Sequence, residues 1–497
     1  MSDIRSSDRQ SRTDQIKEGK LATQGLLDAS AVQSCIDILE NLEQQGIETV
    51  RVLFADPHGI LRGKTIVTSS MTSVFCSGIT VPSTLILKDT SNRTVFPVWS
   101  ASQGVDKQLK GASDILLVPD PGTFRVLPWT NKSAWILCDI CYPGGAPLPL
   151  SPRTILQRAV DTLATNGKSL LVGLEVEFQV YRKIDPALDH ASATMPARAV
   201  GTENLAQGYQ LLSESRYDEL EPIVELLRKQ CEQLQLPLRS MEVEMGPSQL
   251  EFTFDPDEPV RHADNMVMFR TMVKEVCARE NLHATFMCKP ALANAAANGW
   301  HVHQSLLDIN TGENLMMPDK GHDLNATASS WIAGLLAHAA ESCLLTTPTV
   351  NGYKRYQPMQ LAPNRIQWAR DNRGAMIRTL INKADDASRI ENRVAETAAN
   401  PYLLFSSQIF SGLRGLEQSL KAPAPVETPY DNSTNNENAQ LPDNLLAAIG
   451  LFEQSTLYRD VLGAEFVNYL STIRRAEWQR YHLTVSEWEQ AEYFNLF

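Results

Sequence analysis

The sequence predicts an α+β protein with two domains, and three observations support this fold class. The chain has 497 residues, which is too long for one compact core. A stretch rich in Pro and Gly at 142–153 separates a strand- and turn-rich part from a longer part in which helical and extended patterns alternate. Hydrophobic residues make up 43% of the chain, enough for large cores. We therefore expect a small N-terminal domain over 31–145 and a larger domain over 146–497.

The N-terminal part begins with a polar segment. Residues 1–30 are rich in charge, and they predict a disordered arm that lacks the apolar core of a secretory signal. In the stretch ASAVQSCIDILENLEQQG, which ends at Gly46, Val, Ile and Leu recur at helical spacing before a Gly stop. Residues 49–56 (TVRVLFAD) predict a strand, and PHG at 57–59 predicts its turn. These elements favour a small α+β domain.

The larger domain is predicted to begin with a helix. Ser151 and Pro152 form a suitable N-cap and first-turn pair for a helix over 153–167. A second long helix is predicted over 260–281, and the final part of the chain has Leu, Phe, Tyr and Trp at helical spacing. Residues 428–442 are mostly polar, so we expect an exposed loop there.

The stretch GLEVEFQVY, residues 173–181, alternates strictly between apolar and polar side chains. On an extended chain, its Leu, Val and Phe side chains fall on one side, and Glu175 and Glu177 fall on the other. A polar face turned to solvent is the simplest interpretation, because antiparallel strands are often apolar on one side only. The alternative is that both carboxylates point into a shared site.

Three further segments favour a shared site, since each places charged or imidazole side chains on one face of a short extended run. These residues are Glu251 in 249–254, with Glu244 seven residues earlier, His301 and His303 in 300–306, and Glu391 with Arg389 and Arg393 in 389–396. Five carboxylates that converge without cations would repel one another strongly, so divalent metals are expected beside them. Oxygen-rich ligands with one imidazole suit Mg²⁺ or Mn²⁺ better than zinc.

More arginines follow in the sequence, at Arg355, Arg373 and Arg378. Any one of them could form an ordinary surface ion pair. Beside a metal centre, however, arginines suit phosphate or carboxylate groups, which they bind in a bidentate way. A metal centre with carboxylates and several arginines indicates phosphoryl transfer, in which catalysis consists mostly of positioning and charge stabilisation.

Composition argues against two classes of partner. The net charge of −13, from 58 acidic and 45 basic residues, is opposite to that of a general nucleic-acid binder. No apolar run reaches the ~18 residues needed to cross a membrane, so we expect no membrane partner. The eight cysteines are scattered, which suits reduced thiols and predicts a cytoplasmic location.

From about residue 49 to the C-terminus, the sequence resembles the glutamine synthetase family. The motifs that carry the resemblance are DILLVPDPGTFRVLPW (114–129), LEVEF (174–178), EMGPSQLEF (244–252), TFMCKP (285–290), GWHVHQSL (299–306), GYKR (352–355), DNRGAMIR (371–378) and RIENR (389–393) with ANPYL (399–403). Their order and spacing agree with those of the family. Within it, the chain resembles the γ-glutamyl–amine ligases that are built like glutamine synthetase.

The resemblance implies a fold and an assembly. The fold is a β-grasp-like N-terminal domain followed by a catalytic domain with helices and a curved, barrel-like antiparallel sheet. The assembly is a homo-oligomer of hexameric rings, stacked into a dodecamer. Each active site would lie between one subunit's N-terminal domain and its neighbour's catalytic domain, and the substrates would be glutamate, ATP and an amine.

The resemblance also implies roles for residues at matching positions. One metal site would consist of Glu177, Glu244 and Glu251, and the other of Glu175, His301 and Glu391. ATP would be contacted by His303, Ser305, Arg373, Arg378 and Arg389. Glutamate would be held by Arg355 and Arg393, with Ala297 in place of a Gly near its amino-acid end. Catalysis would rest on Arg355, Arg373 and Arg393: ATP phosphorylates the γ-carboxylate, and the amine then displaces phosphate from γ-glutamyl phosphate.

Two positions depart from the family pattern for holding and deprotonating ammonium. Ser100 stands where an Asp is expected, and Leu361 stands where a flap Glu is expected, six residues after Arg355. A cationic amine, with a Lys-like pKa near ~10.4, must lose a proton before it attacks, and an arylamine is already neutral. Leu361 and Trp99 would offer apolar surface to a ring or an alkyl group. We therefore predict a hydrophobic or aromatic, aniline-like acceptor and not ammonia.

Three alternatives stay open at this point. The first is an ordinary glutamine synthetase with a rearranged ammonium site. The second is a γ-glutamylpolyamine synthetase, although a polycation should require acidic residues where this chain has Ser100 and Leu361. The third, from another class, is a non-catalytic homologue with a structural or regulatory role. The retained carboxylates and arginines argue against the third alternative.

Overall fold

The computed structural model describes residues 2–99, 106–318, 324–357, 361–430 and 439–497. Its N-terminal part contains helices α1 (Ser2–Lys17), α2 (Lys20–Thr23), α3 (Ala29–Gln44) and α4 (Met71–Ser77), and strands β1 (Thr49–Ala55), β2 (Leu61–Val67), β3 (Ile79–Pro82), β4 (Asp114–Pro119), β5 (Arg125–Val126) and β6 (Ser133–Cys141). The predicted first helix and first strand are therefore confirmed as α3 and β1.

The N-terminal sheet has a mixed topology. Over the described residues its strands run in the order β2-β1-β6-β4-β3, and β5 pairs with β6. Strand β1 is antiparallel to β2 and parallel to β6. This arrangement fits the small α+β, β-grasp-like unit that was expected. The exact domain bounds stay a prediction.

The prediction that residues 1–30 form a disordered arm is wrong. Residues 2–17 and 20–23 are helical, and Ile16, Leu21 and Leu27 are buried. Helix α1 packs against α3 and α4, and α2 packs against α4. Apolar residues this widely spaced give no helical period in the sequence, yet each one fills a gap between helices. Burial of those few side chains outweighs the polar character of the segment.

The larger part contains most of the helices. They are α5 (Pro152–Thr165), α6 (Glu214–Gln233), α7 (Pro259–Arg279), α8 (Ala326–Ala337), α9 (Ala339–Thr346), α10 (Pro401–Glu417), α11 (Leu445–Gln454), α12 (Thr456–Val461), α13 (Gly463–His482) and α14 (Glu487–Tyr493). Ser151 accepts a hydrogen bond from Thr154 N at the start of α5, so the predicted cap is confirmed. The predicted helix over 260–281 corresponds to α7. The polar loop predicted at 428–442 lies largely outside the described residues.

The strands of the larger part form one sheet that carries the site. They are β7 (Lys168–Asp185), β8 (Gly201–Asn204), β9 (Leu238–Val243), β10 (Gln249–Asp257), β11 (Leu282–Thr285), β12 (Gly299–Asp308), β13 (Trp368–Arg370), β14 (Ile377–Leu380) and β15 (Arg389–Glu396). Their order is β13-β14-β15-β12-β7-β10-β9, and β8 and β11 also pair with β7. The pairs are antiparallel except β13 with β14, so the predicted curved, mainly antiparallel sheet is confirmed.

The apolar side of this sheet packs on helix α7. Phe178 on β7 contacts Phe252 on β10, Phe269 on α7 and Phe286, with ring centroids 5.3, 5.8 and 5.2 Å apart. Phe254 and Phe269 are 5.0 Å apart and meet edge to face. Because side chains alternate along a strand, this core fixes the polar residues of β7 and β10 on the opposite side of the sheet.

No helix in the ranges described above has the length and the apolar character that crossing a membrane requires. All eight cysteines are free thiols, and seven of them are buried.

Candidate active site

The four polar faces predicted from the sequence lie next to one another in the sheet. Glu177 on β7 is in register with Glu251 on β10, and Glu175 is in register with His301 on β12. On the next strand, Glu391 is opposite His303. Directly opposite residues share a face of the sheet, so the side chains of β10, β7, β12 and β15 converge on one space.

This register brings six side chains together in two groups of three, which we call the two triads. One triad is Glu177, Glu244 and Glu251, and the other is Glu175, His301 and Glu391. Within each triad, one potential ligand atom from every residue lies within 4.8 Å of the others. Each donor set of carboxylate oxygens, with a single imidazole in the second triad, suits a divalent cation such as Mg²⁺ or Mn²⁺.

The charges of the first triad also fit a cation. Burial, followed by repulsion from Glu244, raises the pKa of Glu177 to about 8, although Arg355 opposes the shift. Burial and the neighbouring carboxylates raise the pKa of Glu251 to about 12. Carboxylates this close cannot all ionise without a counter-charge, and a bound divalent cation would supply it.

In the second triad, Glu175 lies between two histidines. Its Oε2 is 3.0 Å from His301 Nδ1, and its Oε1 is 2.9 Å from His303 Nε2. Burial opposes ionisation, but the hydrogen bonds with the two imidazoles prevail and hold the pKa of Glu175 well below its usual range. Burial and the charge of Arg393 lower the pKa of His301 to about 4, so a neutral imidazole is available as a ligand.

Glu391 is fully buried and anchors two arginines. Arg378 Nη1 donates to its Oε2 at 3.0 Å, and Arg393 Nη1 donates to its Oε1. Although burial opposes ionisation, the charges of His301 and Arg393 keep the pKa of Glu391 below its usual value. Arg378 is also bound to Asp371, at 2.6 Å from Nη2. In this structure, therefore, Arg378 links the strand that carries Glu391 to the turn that precedes β14.

The two arginines predicted to bind glutamate are both buried. Arg355 Nη1 donates to three main-chain carbonyl oxygens of β15 at 3.1, 3.2 and 3.2 Å, which fixes the guanidinium against the strand end. Arg393 Nε has no hydrogen-bond partner among the described residues. A buried N–H group without a partner is costly, so this atom marks a position that suits an anionic oxygen. Arg373 is exposed and lines the same cavity.

That cavity has a volume of about 740 Å³ and unites most of the predicted residues. Its charged lining includes Arg355, Arg373, Arg393 and five of the six triad residues, all but Glu391. Ala297 also lines it, and its carbonyl oxygen accepts a hydrogen bond from Gln249 Nε2 at 3.0 Å. A volume of this size is within the usual range for a small-molecule site.

A second cavity of about 330 Å³ lies on the other side of Glu175. His303 and Arg389 line it, together with Gly173 and Arg239. Arg389 Nε donates to His303 Nδ1 at 3.2 Å. The predicted nucleotide residue Ser305 donates to the carbonyl oxygen of Ser388 at 3.0 Å and does not line this cavity.

Of the three residues predicted to contact the amine, the structure places one in the 740 Å³ cavity. Leu361 lines the 740 Å³ cavity and is 52% exposed. Trp99 is 82% exposed and does not line this cavity of its own chain. Ser100 lies outside the described residues.

Several residues of the site were missed by sequence reasoning. Gln249 Nε2 donates to Glu177 Oε2 at 3.1 Å, and Gly299 N donates to the same oxygen at 2.9 Å, so both orient the carboxylate. Gln249 lies two residues before Glu251 on the same face of β10, and that spacing was a usable signal. Glu242 and Lys289 also line the cavity, and no role was predicted for either, although Lys289 lies in the motif TFMCKP.

A curved, mainly antiparallel sheet that carries two such triads beside an arginine-lined cavity is typical of one class of protein, the catalytic domains that bind divalent cations. Residues 149–493 match the family model described as glutamine synthetase, catalytic domain. The chain belongs to the glutamine synthetase family.

Among curated relatives, the chain is 38% identical over 479 residues to a γ-glutamylanilide synthase from Acinetobacter sp, covering 92% of this chain and 95% of that protein. It is 28% identical over 466 residues to a glutamate–isopropylamine ligase from Pseudomonas sp, covering 93% and 98%. Among solved structures, it is similar to GmaS in complex with ADP, with a TM-score of 0.77, 26% identity, and coverage of 92% of this chain and 99% of that one.

Proposed function

We propose that the protein is an ATP-dependent ligase that joins the γ-carboxylate of glutamate to an amine other than ammonia. The observation that carries the proposal is the 740 Å³ cavity, which combines carboxylate triads, three arginines and apolar side chains. The triads and arginines suit phosphoryl transfer to an acid, and the apolar part suits an organic amine. Two relatives support this assignment by their names, since one is a synthase of γ-glutamylanilide and the other a ligase of glutamate with isopropylamine.

The reaction would proceed in two steps. An oxygen of the γ-carboxylate attacks the γ-phosphorus of ATP, and the bond to the ADP oxygen breaks, which gives γ-glutamyl phosphate. The nitrogen lone pair of the amine then attacks the acyl carbon, the bond to phosphate breaks, and the nitrogen loses a proton. Arg393, through its unpartnered Nε, and Arg373 would bind the negative oxygens, while Arg355 holds the glutamate end.

The two triads would hold Mg²⁺ or Mn²⁺ ions, one in each triad. When bound, such ions supply positive charge that neutralises phosphoryl oxygens. Gln249 and Gly299 would keep Glu177 aimed at its ligand, since both donate to its Oε2. His303 and Arg389, which line the 330 Å³ cavity, would contact the nucleotide.

The choice of amine follows from Leu361. A carboxylate at this position would hold an ammonium ion and help to remove its proton, whereas a Leu side chain offers only apolar contact. An amine that is neutral near pH 7, such as an arylamine, needs no such help. Stacked hexameric rings with Trp99 and Ser100 reaching a neighbour's cavity, and a cytoplasmic location, stay predictions.

The first test is a panel of acceptors with glutamate, ATP and Mg²⁺ or Mn²⁺, followed as phosphate release and as γ-glutamyl amide by mass spectrometry. We expect aniline to exceed ammonium in kcat/KM by about tenfold or more, the range that pocket contacts supply. Ammonium as the preferred acceptor would indicate an ordinary glutamine synthetase, and preference for a polyamine would indicate that alternative. No turnover with any acceptor, in a folded protein that lacks acyl phosphate formation, would indicate a non-catalytic homologue.

A second test replaces Leu361. Leu361→Glu should raise the ratio of kcat/KM for ethylamine to that for aniline by about tenfold, because one charge-assisted contact is worth roughly 1.5–3 kcal/mol. Leu361→Met is the matched control, since it keeps an apolar side chain of similar volume and should leave the ratio near that of the parent. An unchanged ratio in Leu361→Glu would mean that this position does not select the amine.

A further inference from the structure

A second set of apolar side chains in the cavity comes from the loop segment 208–212, which is far from Leu361 in the sequence. Leu211 and Leu212 precede helix α6 in the chain and line the same 740 Å³ cavity. Both are exposed, and Leu212 has 62% of its surface accessible. Large apolar side chains that stay exposed inside a concave site, and not scattered over the surface, mark a place for an apolar ligand.

Three residues of the cavity lining adopt an unusual backbone conformation. Leu212 has φ of 55°, Tyr209 has φ of 65°, and Leu361 has φ of 52°. Bulky residues rarely adopt this left-handed region, and the surrounding structure must enforce it. Three such residues line one cavity, and in each case the apolar side chain is left in contact with open space.

Hydrogen bonds to strand β9 and its extension enforce the conformation. Tyr209 N donates to Met245 O at 2.6 Å, and Leu212 N donates to Val243 O at 3.1 Å. These two carbonyls flank Glu244 of the first triad. Tyr209 Oη donates to Asn294 O at 2.9 Å, which ties the other side of the segment. Three hydrogen bonds therefore hold the segment beside Glu244 before any ligand arrives, which lowers the entropic cost of binding.

Gly208, which begins the segment, packs too closely against the neighbouring backbone to carry a side chain. A Cβ on Gly208 would lie 2.5 Å from Pro247 N and 2.8 Å from Met245 O. Only glycine allows the two backbones to approach this closely. Main-chain contacts at Gly208 therefore help to set the position of Leu211 and Leu212 relative to Glu244.

We propose that Leu211, Leu212 and Leu361 form an apolar wall that binds the organic substituent of the acceptor amine and determines its selection. The inference rests on the proposed function and adds the residues that recognise the amine. The expected substituent is an aryl or alkyl group on an amine that reacts in its neutral form. Glu242 also lines the cavity, but its Oε1 already accepts a hydrogen bond from Ser240 Oγ at 2.9 Å.

The test compares two acceptors in the full-length protein with glutamate, ATP and Mn²⁺. Aniline carries a substituent for the wall, whereas hydroxylamine is small and neutral and reports on γ-glutamyl phosphate alone. We expect Leu212→Ser to lower the ratio of kcat/KM for aniline to that for hydroxylamine by about tenfold or more, as loss of pocket contacts does. The loss should appear mainly in the KM for aniline, and Leu212→Met should restore the ratio.

The control and a second variant keep the test decisive. Leu451→Ser makes the same exchange at an exposed position of α11, outside the cavity, and should keep the parent ratio. If Leu212→Ser does not fold, as judged by its thermal midpoint, Leu211→Ser takes its place with the same expectation. An unchanged ratio in a folded wall variant would overturn the apolar wall while hydroxylamine turnover still supports the ligase. Absence of hydroxylamine turnover in the parent would instead overturn the proposed function.

Discussion

Glu251→Gln should reduce the stabilisation that Mn²⁺ gives the protein, because it removes a ligand from the first triad and leaves the second triad intact. The metal-free chain should stay folded. Burial, followed by repulsion from the neighbouring Glu177 and Glu244, raises the pKa of the Glu251 carboxyl to about 12. An amide of the same shape cannot supply the negative oxygen that a cation requires, whereas in the metal-free protein it replaces a carboxyl that is already neutral at pH 7. Ligand binding at 100 times Kd stabilises the folded state by about 2.7 kcal/mol for each site, and the share that the first triad contributes should vanish.

The measurement is the thermal midpoint with and without Mn²⁺, together with hydroxylamine-dependent phosphate release. We expect release to fall by roughly 100-fold or more, since a metal contributes several kcal/mol to transition-state stabilisation. Glu221→Gln, at an exposed position of α6, is the matched control and should retain both the midpoint shift and the activity. If Glu251→Gln keeps the parent's metal-induced shift, the first triad does not hold a cation.

The convergence of the carboxylates could be predicted because its signal is local, whereas their division into two triads came from the resemblance to the family. A strand of period two that alternates Glu175 and Glu177 with apolar residues states which side chains share a face, and three other segments repeat that pattern. The register then aligns Glu177 with Glu251 and Glu175 with His301. Order and spacing of the family motifs supplied the sheet and its curvature, which no single strand reveals.

Other parts could not be predicted because their cause is tertiary. Residues 2–17 and 20–23 are helical and pack on α3 and α4 through a few buried apolar side chains, and such sparse contacts leave no period in the sequence. Leu211 and Leu212 occupy an irregular segment whose position depends on main-chain bonds to β9 and its extension, far along the chain. Hydrophobic periodicity identifies regular helices and strands only, so it cannot reveal site residues that lie in a loop.

Phe269→Ala on helix α7 should lower the free energy of unfolding by about 3–5 kcal/mol, the usual cost of truncating a buried Phe. Phe269 is fully buried, and its ring contacts those of Phe178, Phe252, Phe254 and Phe286. Removal of one ring leaves a cavity that four rigid neighbours cannot close. Urea-induced unfolding followed by tryptophan fluorescence measures the loss, and Phe497→Ala, at an exposed position, should change stability by less than about 0.5 kcal/mol.

The same variant also tests how the core supports the site. Phe178 lies on the apolar face of β7 directly after Glu177, so the ring cluster determines where β7 aims its carboxylates. We expect Phe269→Ala to bind Mn²⁺ more weakly than the parent even where the protein is still folded, because a looser β7 no longer holds both triads in place. Undiminished Mn²⁺ affinity in a destabilised variant would mean that pairing with β10 and β12 alone keeps Glu175 and Glu177 aligned.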